Sequence, residues 1–353
     1  MILKQAILHA LIGMSGSRSS AAAYHLITGR SSIQTKQDVH LFHLEKLYGV
    51  YPGLPKVAFE QIIHQSQIEG IIELTFGERE SVNVKEAGYI WLKELPERPF
   101  SYFNGLKYGR LANQFMQRLL LLIQTVSNMG GGNNRFIAVT DDRNAINWVR
   151  SYYTRIRGKE MEFLEQIYEE LLEVLKGFLS NEAEIFTARL SGYEYYGLSL
   201  EQLAQQYKMT YSDMHLLLIA IHHEMLRLIE ENIKMFPILR ACAESVGNTK
   251  TVAGSTAVTK QMLDVGMEAQ EIAQQRNLKL NTIHDHIVEI ALHEPEFNVE
   301  SYLSKEKESK IQQMIRNSKT SKLKEIKEML NDDTDYFQIR LALARMERKA
   351  GSV

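Results

Sequence analysis

Two histidine clusters carry the residues whose spacing could do chemistry, His222-His223-Glu224 and His284-Asp285-His286. Each sets imidazole beside carboxylate, as a metal site or an acid–base pair requires. Their spacing argues against both uses. A His-Glu-x-x-His pattern puts two imidazoles and a general base on one helical face, whereas histidines two positions apart on a helix point about 200° apart. The glycine run at 130–132 lacks the Gly-Lys-Ser/Thr that completes a phosphate loop, and no strand leads into it. Nucleophile-elbow and dinucleotide signatures are absent too. The expectation is a non-enzymatic protein with no metal and no cofactor.

Recognition chemistry is better represented. Gly197-Leu198, Leu203-Ala204-Gln205-Gln206, Met209, Met214 and His215 return 69 positions later as Gly266-Met267, Ile272-Ala273-Gln274-Gln275, Leu278, Ile283 and His284. Both copies fit a helix-turn-helix. A small alanine in the first helix lets the second cross it closely, and the apolar positions fill the core they share. Base-reading side chains belong near the start of the second helix. In the first copy these are Tyr211, Ser212 and His215, followed by apolar residues that predict burial. The second copy offers Lys279, Asn281, Thr282 and His284 to DNA or a partner. Asp285 and Glu289 would meet phosphates unfavourably, and Lys279 cannot cap its helix as Thr210 can.

Further cations could hold a DNA backbone. Between 305 and 328, eight Lys or Arg stand against four Glu, and Lys305, Lys307, Lys310, Arg316, Lys319 and Lys322 are the candidates there. Arg18, Arg30 and Lys36 are candidates near the start. The whole chain has a net charge of -2, so any such attraction must be local.

The elements that must position these residues read as helices. Six prolines in 353 residues and recurrent three- and four-residue apolar spacing predict a mainly α, multidomain protein. Residues 1–98 are expected to form a winged-helix-like unit of three helices, one of them over 41–48, and a short hairpin within 70–84. Residues 99–246 form a central helical domain that includes the degenerate first helix-turn-helix. Its long helix over 106–126 ends at the glycine run, and a helix over 160–179 carries Glu165, Glu169, Glu170 and Glu173 as a solvated face. A small, polar linker at 247–255 opens the C-terminal helix-turn-helix domain, 247–353.

Composition is that of an ordinary globular chain, with 44% hydrophobic and 24% charged residues. The single cysteine, Cys242, is expected to be a buried thiol and suits a reducing compartment. Residues 6–14 are apolar after Lys4, but His9 interrupts them, so no signal peptide is expected. Apolar runs such as 119–123 fall far short of the roughly 20 residues that cross a bilayer.

Residues 254–348 resemble the helix-turn-helix domain at the C-termini of RecQ-type helicases. The resemblance is carried by Thr259, Gly266, Glu271-Ile272-Ala273, Arg276, Leu278, Asn281-Thr282-Ile283, His286-Ile287, Leu323-Lys324-Glu325-Ile326-Lys327 and Asp335-Tyr336-Phe337-Gln338-Ile339-Arg340. The whole chain is similar to the YpbB family of Bacillus-type bacteria, with Arg18-Ser19-Ser20, Tyr24-His25-Leu26, Gln34-Thr35-Lys36-Gln37-Asp38 and His40-Leu41-Phe42 carrying the N-terminal part. This resemblance implies a cytoplasmic, nucleoid-associated companion of a separately encoded RecQ-like helicase, acting in DNA repair or replication restart. The expected partners are that helicase, single-stranded or forked DNA, and a single-stranded DNA-binding protein. A dimeric helix-turn-helix regulator is the alternative.

Overall fold

The computed structural model describes residues 1–346 except 77–79, 245–253, 295, 319–322 and 331–332. Among these the chain is mainly α, with eighteen α-helices and one β-hairpin. Helix α1 (Ile2–Met14) buries Leu3, Ala6, Ile7, Leu8, Ala10 and Leu11, and apolar residues on more than one side mark it as an interior helix. α2 (Ser20–Ile27) and α3 (Ile33–Leu41) follow. The helix expected over 41–48 does not form. α3 ends at Leu41, His43 turns the chain with a left-handed φ of 54°, and a short 3-10 turn, Glu45–Leu47, takes its place. α2 and α3 themselves were not anticipated. What α3 buries is chiefly Thr35, Gln37 and Asp38, and polar residues leave no apolar period to read.

α4 (Lys56–Ile68) leads into an antiparallel hairpin of β1 (Ile72–Phe76) and β2 (Glu80–Val84), paired from Ile72 with Val84 to Phe76 with Glu80. Helices followed by a small hairpin are the winged-helix-like order expected. β2 lies against α1 and α2. Glu80 Oε1 accepts from Ser20 N (3.0 Å) and Ser20 Oγ (2.6 Å), which satisfies the open N-terminus of α2.

After α5 (Glu86–Lys93), the 26-residue α6 (Gly105–Gly130) forms an axis on which α7 (Arg143–Ile156), α8 (Glu160–Leu175), α11 (Tyr211–Glu231) and α12 (Pro237–Ala243) all pack. α9 (Ser180–Thr187) and α10 (Leu200–Gln206) lie between α8 and α11 in the chain. One connected set of buried residues runs from Ile2 to Cys242, so the boundary expected at 98 falls inside a shared core. Cys242 is fully buried there. Glu165, Glu169 and Glu173 of α8 are exposed as expected. Glu170 is not: it is buried and accepts from Ile238 N (3.0 Å) and Leu239 N (2.9 Å), at the N-terminus of α12.

A second core runs from Ala269 to Ala342. It is built from α13 (Ser255–Asp264), α14 (Ala269–Gln275), α15 (Leu280–His293), α16 (Lys305–Ser318), α17 (Leu323–Leu330) and α18 (Tyr336–Ala344). Most of the expected linker, 247–255, lies outside the described residues. The two cores meet through α3, whose Ile33 packs against the second.

Candidate nucleic-acid interface

The two helix-turn-helix copies keep their offset of 69 in three dimensions. α10 and α14 begin at 200 and 269, and α11 and α15 at 211 and 280. Capping boxes stand at equivalent places, Ser199 with Gln202 and Glu268 with Glu271. Each turn passes through one left-handed residue, Lys208 (φ 51°) or Asn277 (φ 50°). The next amide then closes the turn, Met209 N on Ala204 O and Leu278 N on Ala273 O, both at 2.9 Å. Leu203, Ile272, Met214 and Ile283 are fully buried between the paired helices. Thr210 caps α11 by accepting from Asp213 N (3.1 Å), whereas Lys279 offers α15 no side-chain cap.

The first recognition helix is a core element. His215 stacks on Tyr51 with centroids 4.3 Å apart, the Asp213 carboxylate accepts from Leu3 N (2.9 Å), and Leu216, Leu217 and Leu218 are buried. Of the three side chains expected to read bases, Tyr211 is exposed, and Ser212 and His215 are half-buried.

The second recognition helix, α15, is surrounded by α13, α14, α18 and α3. His284 stacks on Phe337 of α18 at 3.9 Å, nearly parallel. Asp285 pairs with Arg340, which also donates from Nε to Gln37 Oε1 (3.2 Å) and accepts at its carbonyl from Gln37 Nε2 (3.1 Å). Glu289 takes Lys36 of α3 on one oxygen and Thr256 Oγ1 (3.0 Å) on the other. His293 meets His40 edge-on at 6.2 Å. The acids that look misplaced for DNA are thus the groups that hold α3 to α15, directly or through Arg340. Positions 285, 289 and 293 share one helical face, and it is the face α3 covers. Lys279 and Asn281 remain exposed, and Thr282 is half-buried.

The histidines of the second cluster diverge. His284 turns to Phe337, while His286 Nδ1 lies 2.7 Å from Thr259 Oγ1. Burial lowers both pKa values below the ordinary one, so both rings are neutral at pH 7. Among the described residues no three His, Cys, Asp or Glu side chains converge as metal ligands.

The other candidate cations are dispersed and largely engaged. Arg18 donates three hydrogen bonds to Asp38, of 2.8, 3.0 and 3.2 Å, while Arg30 is exposed with Nη1 2.9 Å from His25 Nε2. Lys305 pairs with Glu300 (2.7 Å) and Lys307 with Asp333 (2.9 Å). Lys310 and Arg316 are exposed on α16; Lys319 and Lys322 lie outside the described residues. A cleft between α13, α14 and residues 296–302 is lined by Asp264, Glu268, Glu294 and Glu296 around Lys260, a lining that repels phosphate. Sequence reasoning missed Gln37, Phe337 and Arg340 as contacts of α15. The signal available was the acidic pair 285 and 289, which needs cationic partners somewhere.

Residues 255–343 match the family model described as a helix-turn-helix domain. No solved structure matches the chain. Across 341 residues it is 30% identical to protein YpbB of Bacillus subtilis (strain 168), covering 96% of each chain. An identity that runs through both cores and the α3 contact between them covers the whole architecture, and the chain belongs to the YpbB family.

Proposed function

We propose that this protein is a non-catalytic accessory factor of a RecQ-like DNA helicase, acting through protein contacts and weak contact with single-stranded or forked DNA. The observation that carries this reading is the engagement of α15: its acidic face is held by Lys36, and His284 is stacked away on Phe337. A helix with that environment supports docking of protein on protein better than insertion into a major groove. The likeness of 254–348 to the C-terminal module of RecQ-type helicases supplies the kind of partner. The proposed setting is the cytoplasm, at the nucleoid, in DNA repair or replication restart, with a single-stranded DNA-binding protein as a further partner. Among the described residues no helix is long and apolar enough to cross a membrane.

Co-purification with the host's RecQ-like helicase tests the protein arm, and polarisation titrations on single-stranded, duplex and forked DNA test the other. Failure of both at low salt would sink the proposal. The second reading, a dimeric regulator, is favoured only by exposed Lys279 and Asn281 at the start of α15. Selection from random duplexes separates the two, since a regulator enriches one palindromic motif.

A further inference from the structure

Cations without ion pairs are concentrated where sequence reasoning did not look, on α7 and the turn that follows it. Between 143 and 159 the chain carries Arg143, Arg150, Arg155, Arg157 and Lys159 and no acid. All five are exposed, and among the described residues none makes an ion pair. In a chain of net charge -2, where Arg18, Lys36, Lys305 and Lys307 are paired, this is a local excess of positive charge.

On the helix itself Arg143 and Arg150 share the side away from the core, and Arg155 lies on its flank, with Arg157 and Lys159 just past its end. Ala145 and Val149 are buried and Trp148 and Tyr152 pack inward on the first core. Seven residues separate Arg143 from Arg150, which places them within about 20° of each other around the axis and about 10 Å apart along it. Exposed Asn147 continues the same stripe, offering hydrogen-bond donors. The bordering acids are Asp141, Asp142 and Glu160. Asp142 accepts from Ala145 N (2.7 Å), and Glu160 from Tyr153 Oη (2.5 Å) and Gly158 N (3.0 Å). Helix stability accounts for Arg155 and Arg157 at the negative end of the dipole but not for Arg143, which stands at the positive end.

We propose that α7 is a nucleic-acid backbone site that takes the phosphates of duplex DNA, such as the arm of a fork. Arginine forks match phosphate oxygens bidentately. The ligand is duplex because the aromatic rings of α7 face the core: Trp148 stacks on Tyr152 at 4.9 Å, so no platform remains for unstacked bases. Contact of this kind is independent of sequence and sensitive to salt. The inference rests on the DNA arm of the proposed function and gives it a place.

The test uses the full chain and a fluorescein-labelled duplex, titrated by polarisation from about 50 to about 200 mM salt. The variant Arg143→Gln/Arg150→Gln/Arg157→Gln removes three charges with little change in helix propensity, and its thermal unfolding should match wild type. Losing three phosphate contacts should flatten the slope of log affinity against log salt by about 2.7 and weaken low-salt binding about tenfold or more. Lys279→Ala/Asn281→Ala should leave both unchanged. If instead the triple variant binds as wild type does and the α15 variant loses affinity, DNA binds at α15; the inference falls and the DNA arm stands. If wild type binds no duplex at the lowest salt, or binds only anionic phospholipid vesicles, the inference and the duplex arm fall together. Helicase co-purification still decides the accessory role.

Discussion

His223 is completely buried in α11, with Nδ1 accepting from Asn104 N at 3.0 Å and its ring edge-on to Phe103. Burial depresses its pKa to about 4, and burial, then the neighbouring imidazole, pushes that of His222 in the same direction. A histidine whose folded pKa lies below its unfolded value of about 6.5 stabilises the fold fully above that value and progressively less as pH falls toward the folded one. His223 alone should therefore withdraw up to about 3 kcal/mol between about pH 6.5 and pH 4. Denaturant midpoints at about pH 7 and about pH 5 measure this, and His223→Gln, whose amide oxygen can still accept from Asn104, should flatten the fall. An unchanged pH slope in that variant would assign the effect elsewhere. At the start of α15, Lys279 sits with extended backbone angles and no side-chain cap, where Thr210 caps the other copy. Lys279→Ser should raise stability by about 1 kcal/mol, read as a higher midpoint at constant m; no gain would mean that solvent already satisfies that helix end. Both features were partly legible, because capping is local. The missing cap could be read directly from the sequence, whereas only the fold reveals how deeply His223 is buried.

At the scale of elements, α12 shows what sequence cannot reach. Glu170 holds its first amides from α8, and Arg118 of α6 donates from Nη1 to Cys242 O (3.2 Å) and Glu244 O (2.5 Å) at its other end. Opposite charges at the two ends complement the dipole of a helix of only seven residues. Arg118 is almost fully buried and lies over the Trp148 ring at 5.0 Å. Arg118→Met keeps the volume but strands those carbonyls, and should cost about 2–3 kcal/mol; Glu170→Gln, which keeps an acceptor, should cost about 1 kcal/mol. Equilibrium unfolding checks both, and the opposite ranking would overturn the capping account. Periodicity says which face of α8 is apolar, but not that Glu170 will meet a helix end 68 residues away. The helix-turn-helix repeat was legible for the converse reason: its packing positions, turn and caps lie within about one supersecondary unit. The role of α3 was not, because its burial depends on residues some 250 positions distant.

In the whole molecule, the N-terminal region stands between the two helix-turn-helix copies, with α1 against α11 and α3 against α15. Each recognition helix is covered by a different N-terminal helix. The first cover is a shared apolar core; the second is mainly polar, built on Lys36, Gln37 and the acids of α15, and polar contacts release more readily than buried apolar area. Lys36→Ala/Gln37→Ala should loosen α3 from α15 at a cost of about 1–2 kcal/mol, with both cores kept and amide exchange raised about tenfold at 33–41 and 280–293. What release does to DNA binding decides between the two functional readings. Freeing α15 exposes Glu289 and the edge of Asp285, which repel phosphate, so duplex affinity should stay level while binding of a basic protein partner rises. A rise of tenfold or more in duplex affinity would instead make α3 the cover of a DNA-reading helix. That result would restore the dimeric regulator as the better account of the chain.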